Sequence, residues 1–60
     1  MYRCHFTQNG HIEDSCNLNV LTLDAAIATG QKILADNLDI DRCDGIEIWL
    51  DRALLYKFSA

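Results

Sequence analysis

Between Thr22 and Leu38 the large apolar residues Leu23, Ile27, Leu34 and Leu38 fall at helical spacing, with Ala26, Gly30 and Ile33 on the same side. Asp24, Gln31, Lys32 and Asp36 lie off that stripe. The pattern predicts one amphipathic helix over residues 22–38, the only stretch long enough to carry a core by itself. Thr22 is placed to cap its first turn, and Asp24 sits where the positive end of the helix dipole favours a carboxylate. A glycine inside a helix costs about 1 kcal/mol relative to alanine, so Gly30 in mid-stripe is expected where the helix closely approaches a flat surface such as a sheet.

Upstream, Tyr2, Cys4 and Phe6 alternate with Arg3, His5 and Thr7, the period of a half-buried strand. A three-residue Gln8-Asn9-Gly10 loop with a glycine bulge sets Phe6 opposite Ile12 and His5 opposite Glu13. That register pairs apolar with apolar and imidazole with carboxylate, so a first hairpin is expected over residues 1–14. Residues 15–21 read as a connection in which Asn17 suits a left-handed backbone position and Leu18 and Val20 fold back onto the core. After the helix, residues 36–45 carry Asp36, Asp39, Asp41 and Asp44 against the single cation Arg42, the most acidic segment of the chain.

Beyond Gly45 two periods compete. Ile46, Trp49, Leu50, Ala53, Leu54 and Phe58 fit a helical stripe, but Ile48 and Leu55 fall outside it and the run is rich in β-branched and aromatic residues. The preferred reading is a hairpin over residues 46–58 closed by Asp51-Arg52, although that turn lacks a glycine. It pairs Leu50 with Ala53, Trp49 with Leu54, Ile48 with Leu55 and Glu47 with Tyr56. Ile46, Ile48, Leu50, Ala53 and Leu55 would then face the helix, leaving Trp49, Leu54 and Tyr56, with Phe58 at the end of the row, on the opposite face. One helix covers one side of a sheet, so this aromatic face is a candidate contact surface. The predicted fold is a single α+β domain over residues 1–60: a two-layer, four-stranded antiparallel sheet in ββαββ order with one helix on one face.

At 60 residues, folding buries only about 60% of the surface that the unfolded chain exposes, so dimerisation is a natural way to bury more. The net charge is −4, and the basic residues Arg3, Lys32, Arg42, Arg52 and Lys57 are scattered. This argues against direct binding to nucleic acid and for a protein partner with a basic surface. Three cysteines, Cys4, Cys16 and Cys43, show no Cys-x-x-Cys spacing, and the chain does not open on the basic-then-apolar pattern of a signal peptide. Reduced thiols and a cytoplasmic location are therefore expected. No apolar run approaches the roughly 20 residues of a membrane span.

Candidate chemistry is sparse. Cys4, His11, Cys16 and Cys43 could be drawn as a zinc set, but structural zinc takes its ligands in close pairs and none is present. Cys4 and His5 are neighbours that point to opposite faces of a strand, which leaves only Cys16 or Cys43 with His11 as a nucleophile and base. Asp39, Asp41 and Asp44 suggest a calcium loop, yet the EF-hand positions for Gly and Glu hold Asp44 and Leu50. No metal, cofactor or catalytic residue is assigned, and a Cys/His metal or redox protein stands as an alternative.

The order Tyr2-Arg3-Cys4-His5-Phe6, Asn9-Gly10, Glu13-Asp14, Leu23-Asp24-Ala25-Ala26-Ile27-Ala28, Gly45-Ile46-Glu47-Ile48-Trp49 and Leu54-Leu55-Tyr56-Lys57-Phe58 resembles a family of short bacterial proteins of unknown function. The resemblance spans nearly the whole chain. Members open on an aromatic-rich strand with His-Phe, turn at a Gly, pass an acidic pair into an Ala-rich helix and finish with a β-hairpin. This chain departs at Asn17, where members tend to carry Gly, and at Asp51-Arg52, where they tend to have a longer Gly-containing turn. The resemblance implies a strand-strand-helix-strand-strand layout and no established activity. The expected function is a non-catalytic protein-binding module with two candidate surfaces, the face around Trp49, Leu54 and Tyr56 and the acidic segment with Asp36, Asp39, Asp41 and Asp44. In its most specific form this is a small acidic inhibitor that occludes a basic nucleic-acid-binding surface, similar in class, not in motif, to phage-encoded CRISPR inhibitors. A homodimer that buries Trp49 is the alternative.

Overall fold

Four extended stretches and one helical stretch follow one another as β1 (Tyr2–Gln8), β2 (His11–Leu18), α1 (Leu23–Asp36), β3 (Gly45–Leu50) and β4 (Ala53–Ser59). The computed structural model describes residues 1–36 and 43–59, so Leu38, Asp39 and Asp41 lie outside the described residues. The strands form one antiparallel sheet in the order β2-β1-β3-β4. β2 and β3 both run antiparallel to β1 and flank it, and α1 stands between them in the chain. This is the α+β, ββαββ architecture that the sequence pattern predicts.

Helix α1 starts at the expected cap. The Ala25 N–H donates to Thr22 Oγ1 at 3.1 Å and the Ala26 N–H to the Thr22 carbonyl at 3.0 Å. The helix lies over the two central strands, β1 and β3. Its buried residues are the small ones, Ala26 and Gly30, while Leu23, Ile27, Ile33 and Leu34 pack at the margins. Beneath them Cys4, Phe6, Leu18, Ile46 and Ile48 complete the core. A Cβ on Gly30 would stand 3.0 Å from Cys4 Sγ and 3.3 Å from the Cδ1 atoms of Ile46 and Ile48. Glycine therefore marks the close approach of helix to sheet. Among the described residues no helix is long and apolar enough to cross a membrane.

Both hairpins carry one extra residue that the sequence reading did not place. In the first, Asn9 (φ 53°) and Gly10 (φ 83°) make a two-residue turn, with Gln8 opposite His11 and Thr7 opposite Ile12. The register then shifts, so that Phe6 faces Asp14 and His5 faces Ser15, not Ile12 and Glu13 as expected. Glu13 is the extra residue. Without that shift Cys16 and Leu18 would fall on the side away from the helix; with it they pair with Cys4 and Tyr2 and join the core side. The hairpin accordingly continues past Asp14 to Leu18, and Asn17 sits in extended backbone opposite Arg3 instead of in a left-handed turn.

The second hairpin closes at Asp51-Arg52, where Asp51 itself takes φ 54°. Leu50 pairs with Ala53 and Trp49 with Leu54, as expected, but the register then shifts to pair Ile48 with Tyr56 and Glu47 with Lys57. Leu55 is the extra residue here. An unshifted register would have set Lys57 beside the fully buried Ile46; the shift sets it beside Glu47 and brings Tyr56 and Phe58 to the helix side.

Gly45 opens β3 where two strands crowd it: a Cβ there would collide with the Phe58 carbonyl oxygen and stand 2.8 Å from Thr7 Oγ1. Backbone cannot yield as a flexible side-chain end can. Gly45→Ala is expected to destabilise the fold by about 2 kcal/mol and lower Tm by about 10 °C in thermal denaturation followed by circular dichroism. Gly30→Ala should cost less, because the helix gains about 1 kcal/mol of propensity against its tight contacts. A Gly45→Ala chain as stable as the parent would mean that the Gly45 to Ser59 pairing is misplaced.

Candidate protein-binding face

The helix covers one side of the sheet, and among the described residues nothing covers the other. Arg3 and His5 of β1, Glu47 and Trp49 of β3, and Leu54 and Lys57 of β4 point to that open side, because each shares a register position with another member of the group. Arg3 opposes Trp49, His5 opposes Glu47, Trp49 opposes Leu54 and Glu47 opposes Lys57. The open face is thus a mixed patch, with an indole and a leucine beside a carboxylate ringed by cationic or protonatable groups.

Glu47 sits at its centre. Its side chain is only 13% exposed although it lies on the uncovered side. One carboxylate oxygen accepts the Trp49 indole N–H at 3.0 Å, and the other lies 4.0 Å from Lys57 Nζ. His5 Nδ1 approaches the first oxygen at 3.9 Å, too far for a hydrogen bond, and is itself buried without a hydrogen-bond partner among the described residues. The His5 and Trp49 rings meet with centroids 5.8 Å apart and planes tilted by 32°. Between them Arg3, His5, Trp49 and Asp51 line a shallow hollow of about 330 Å3. The indole is therefore held by its N–H and by a ring contact. That is the fixed, half-exposed aromatic a contact surface uses.

The sequence-derived surfaces are placed unevenly. Trp49 and Leu54 come together on the open face, and Leu54 and the extra residue Leu55 are 44% and 43% exposed. Tyr56 does not join them. The shift at Leu55 turns it to the helix side, where it packs at the edge of the core and its hydroxyl accepts from Gln31 Nε2 at 3.3 Å. Phe58 moves with it, opposite Ile46. Of the acidic segment, Asp36 is exposed at the end of α1, and Asp44 is half-buried with its N–H donating to the Thr7 carbonyl at 2.9 Å. Asp39 and Asp41 lie outside the described residues. His5, Glu47 and Lys57 were missed as site residues; the pairing of Glu47 with Lys57 becomes visible only once the extra residue at Leu55 is allowed. Among the described residues no three His, Cys, Asp or Glu side chains gather as a metal site requires.

Glu47→Ala removes the acceptor that holds Trp49 and is expected to cost about 2 kcal/mol in denaturant unfolding, with a red-shifted Trp49 emission as the indole loosens. Glu47→Gln keeps an amide oxygen in place to accept the indole N–H and should recover most of that loss; equal stability of the parent and Glu47→Ala would show that the carboxylate does not organise the face. The geometry of this face has to carry its own interpretation, since no family model matches the chain, nor does any curated protein or solved structure.

Proposed function

We propose that the protein is a non-catalytic protein-binding module that docks through the open face of its sheet, with Trp49 and Leu54 at the centre of the contact. The observation that carries this reading is the one-sided cover: a single helix shields one face, and the other presents an indole held in place beside exposed leucines. Tryptophan anchors are where binding energy concentrates in protein interfaces, and a rigid one loses little entropy on binding. The partner is a protein with a basic surface. The open face is nearly balanced, with Arg3 and Lys57 against Glu47 and Asp51, so the net charge of −4 resides elsewhere, including on the exposed Asp14, Asp24 and Asp36. The acidic charge therefore acts at range, steering a basic partner, while the open face makes the contact. In its most specific form the module is an inhibitor that occludes a nucleic-acid-binding surface of its target.

A second reading is favoured by one observation. β4 is an outer strand with an unpaired edge, and Leu54, Leu55 and Phe58 are exposed along it. A long apolar edge is a template for another strand, so a homodimer through β4 would cover it.

Sedimentation of the purified chain separates the two readings, since a monomer has a mass of 6.8 kDa. For the module reading, affinity capture from lysate at low salt is run in parallel with the parent chain and with Leu54→Glu and Trp49→Ala. The parent is expected to retain a basic protein that both variants bind about 30-fold more weakly, the loss of a contact worth about 2 kcal/mol. Identical capture by all three chains would remove the open face from the contact, and a stable dimer lost in Leu54→Glu would favour the second reading.

A further inference from the structure

The extra residue at Glu13 sets two cysteines against each other. Cys4 of β1 and Cys16 of β2 are direct cross-strand partners. Opposed residues in antiparallel strands hold their Cα atoms about 4.5 or 5.5 Å apart, depending on the type of pair. A disulfide needs about 4.4–6.8 Å, so either type meets the requirement without moving a strand. Both side chains lie on the helix side, Cys4 in the core and Cys16 packed against it. Both thiols are free. Cys43 precedes β3, whose first residue Gly45 opposes Thr7, whereas Cys4 opposes Ile48 three residues further along. Neither sulfur of the pair takes part in the open-face contact.

We propose that Cys4 and Cys16 are a dithiol couple that a low-molecular-weight disulfide, such as oxidised glutathione, converts to a cross-strand disulfide stapling β2 to β1. The Cys16 thiolate attacks one sulfur of glutathione disulfide, forming a mixed disulfide and releasing one glutathione thiolate. The Cys4 thiolate then attacks the Cys16 sulfur and expels the second glutathione. One protein S–S bond replaces the glutathione S–S bond, and the two thiol protons end on the two glutathione sulfurs.

The environment sets that order of events. Cys16 is partly accessible, whereas Cys4 is fully buried. Burial, reinforced by the neighbouring Cys16, pushes the Cys4 thiol up to about 12, which makes it a poor first nucleophile. Burial and Asp14 also raise Cys16, against the opposing pull of Arg3. Few thiolates are present at neutral pH, so the couple closes slowly once an oxidant arrives. It acts as a conditional staple, not as a fast sensor. The helix lies over β1 and β3, leaving β2 as an outer strand with its own hairpin as the main tie, so the bond would add a covalent tie between an outer strand and the strand beneath the helix.

The test incubates the folded full chain with excess oxidised glutathione, alkylates the remaining thiols and digests with trypsin without reduction. Trypsin cuts after Arg3, Lys32 and Arg42, so Cys4 and Cys16 share one peptide and Cys43 lies on another. The expected product is the residue 4–32 peptide lighter by two hydrogens, with one free thiol left of the three, and a higher Tm than the reduced chain. Cys43→Ser should form the same product and Cys16→Ser should not; Cys16 is chosen because Cys4 lies in the core. The proposal is overturned by a main product that joins the Cys43 peptide to the other, by glutathione that stays on Cys16, or by three free thiols after prolonged incubation.

Discussion

A helix of 14 described residues has to close one side of a four-stranded sheet, and the way it does so orders the rest of the structure. It cannot reach all four strands, so it seats on β1 and β3 and comes close by presenting its smallest residues, Ala26 and Gly30. The larger residues then splay outward as flanks, with Leu23, Ile27, Ile33 and Leu34 half-buried at the margins. That close seat is why Cys4, Ile46 and Ile48 are wholly buried in so small a chain, and why the outer strands lack full cover. Small residues at the centre of the contact maximise burial of the central strands at the expense of the edges.

The two extra residues follow from the same economy of cover. With six buried apolar side chains among the described residues, each hairpin must bring its core-lining residues to the helix side and keep charges off it. The shift at Glu13 brings Cys16 and Leu18 to the core side, and the shift at Leu55 takes Lys57 away from Ile46 and gives it Glu47. A strand's side chains alternate strictly, so one inserted residue is the smallest change that reverses a face. Each shift leaves the turn-proximal pairs in place and corrects the distal ones.

That explains which parts of the fold were legible in the sequence. The helix, its Thr22 cap and the close approach at Gly30 were readable because each depends on a few neighbouring residues. So were the turn-proximal pairs Leu50 with Ala53 and Trp49 with Leu54. The distal pairs were not, because they depend on a balance of burial between strands far apart in sequence. Tyr56 was assigned to the open face for this reason, and Cys16 was assigned to a connection when it is a strand residue opposite Cys4. A signal was present: Cys16 and Leu18 continue a period of two that matches Tyr2 and Cys4 only if one residue is set aside. Of the candidate site, Trp49 and Leu54 were found from alternation alone, while Glu47 as the group that fixes Trp49 needed the structure.

Glu47 also limits what can bind over it. A carboxylate already 87% buried has little water left to lose, and only one of its oxygens accepts a hydrogen bond, from the indole N–H, while the other has Lys57 Nζ 4.0 Å away. A partner that covered the open face with an apolar surface alone would complete the desolvation and push Lys57 off the carboxylate or bury it too, either of which is costly. A partner that brings an arginine or lysine to the hollow by His5 and Trp49 would replace the lost solvation with a charge-assisted hydrogen bond and set a cation against the indole. On the proposed reading, the open face would discriminate by penalty as well as by attraction. The cation that this hollow would accept on that reading has the sign that a net charge of −4 attracts.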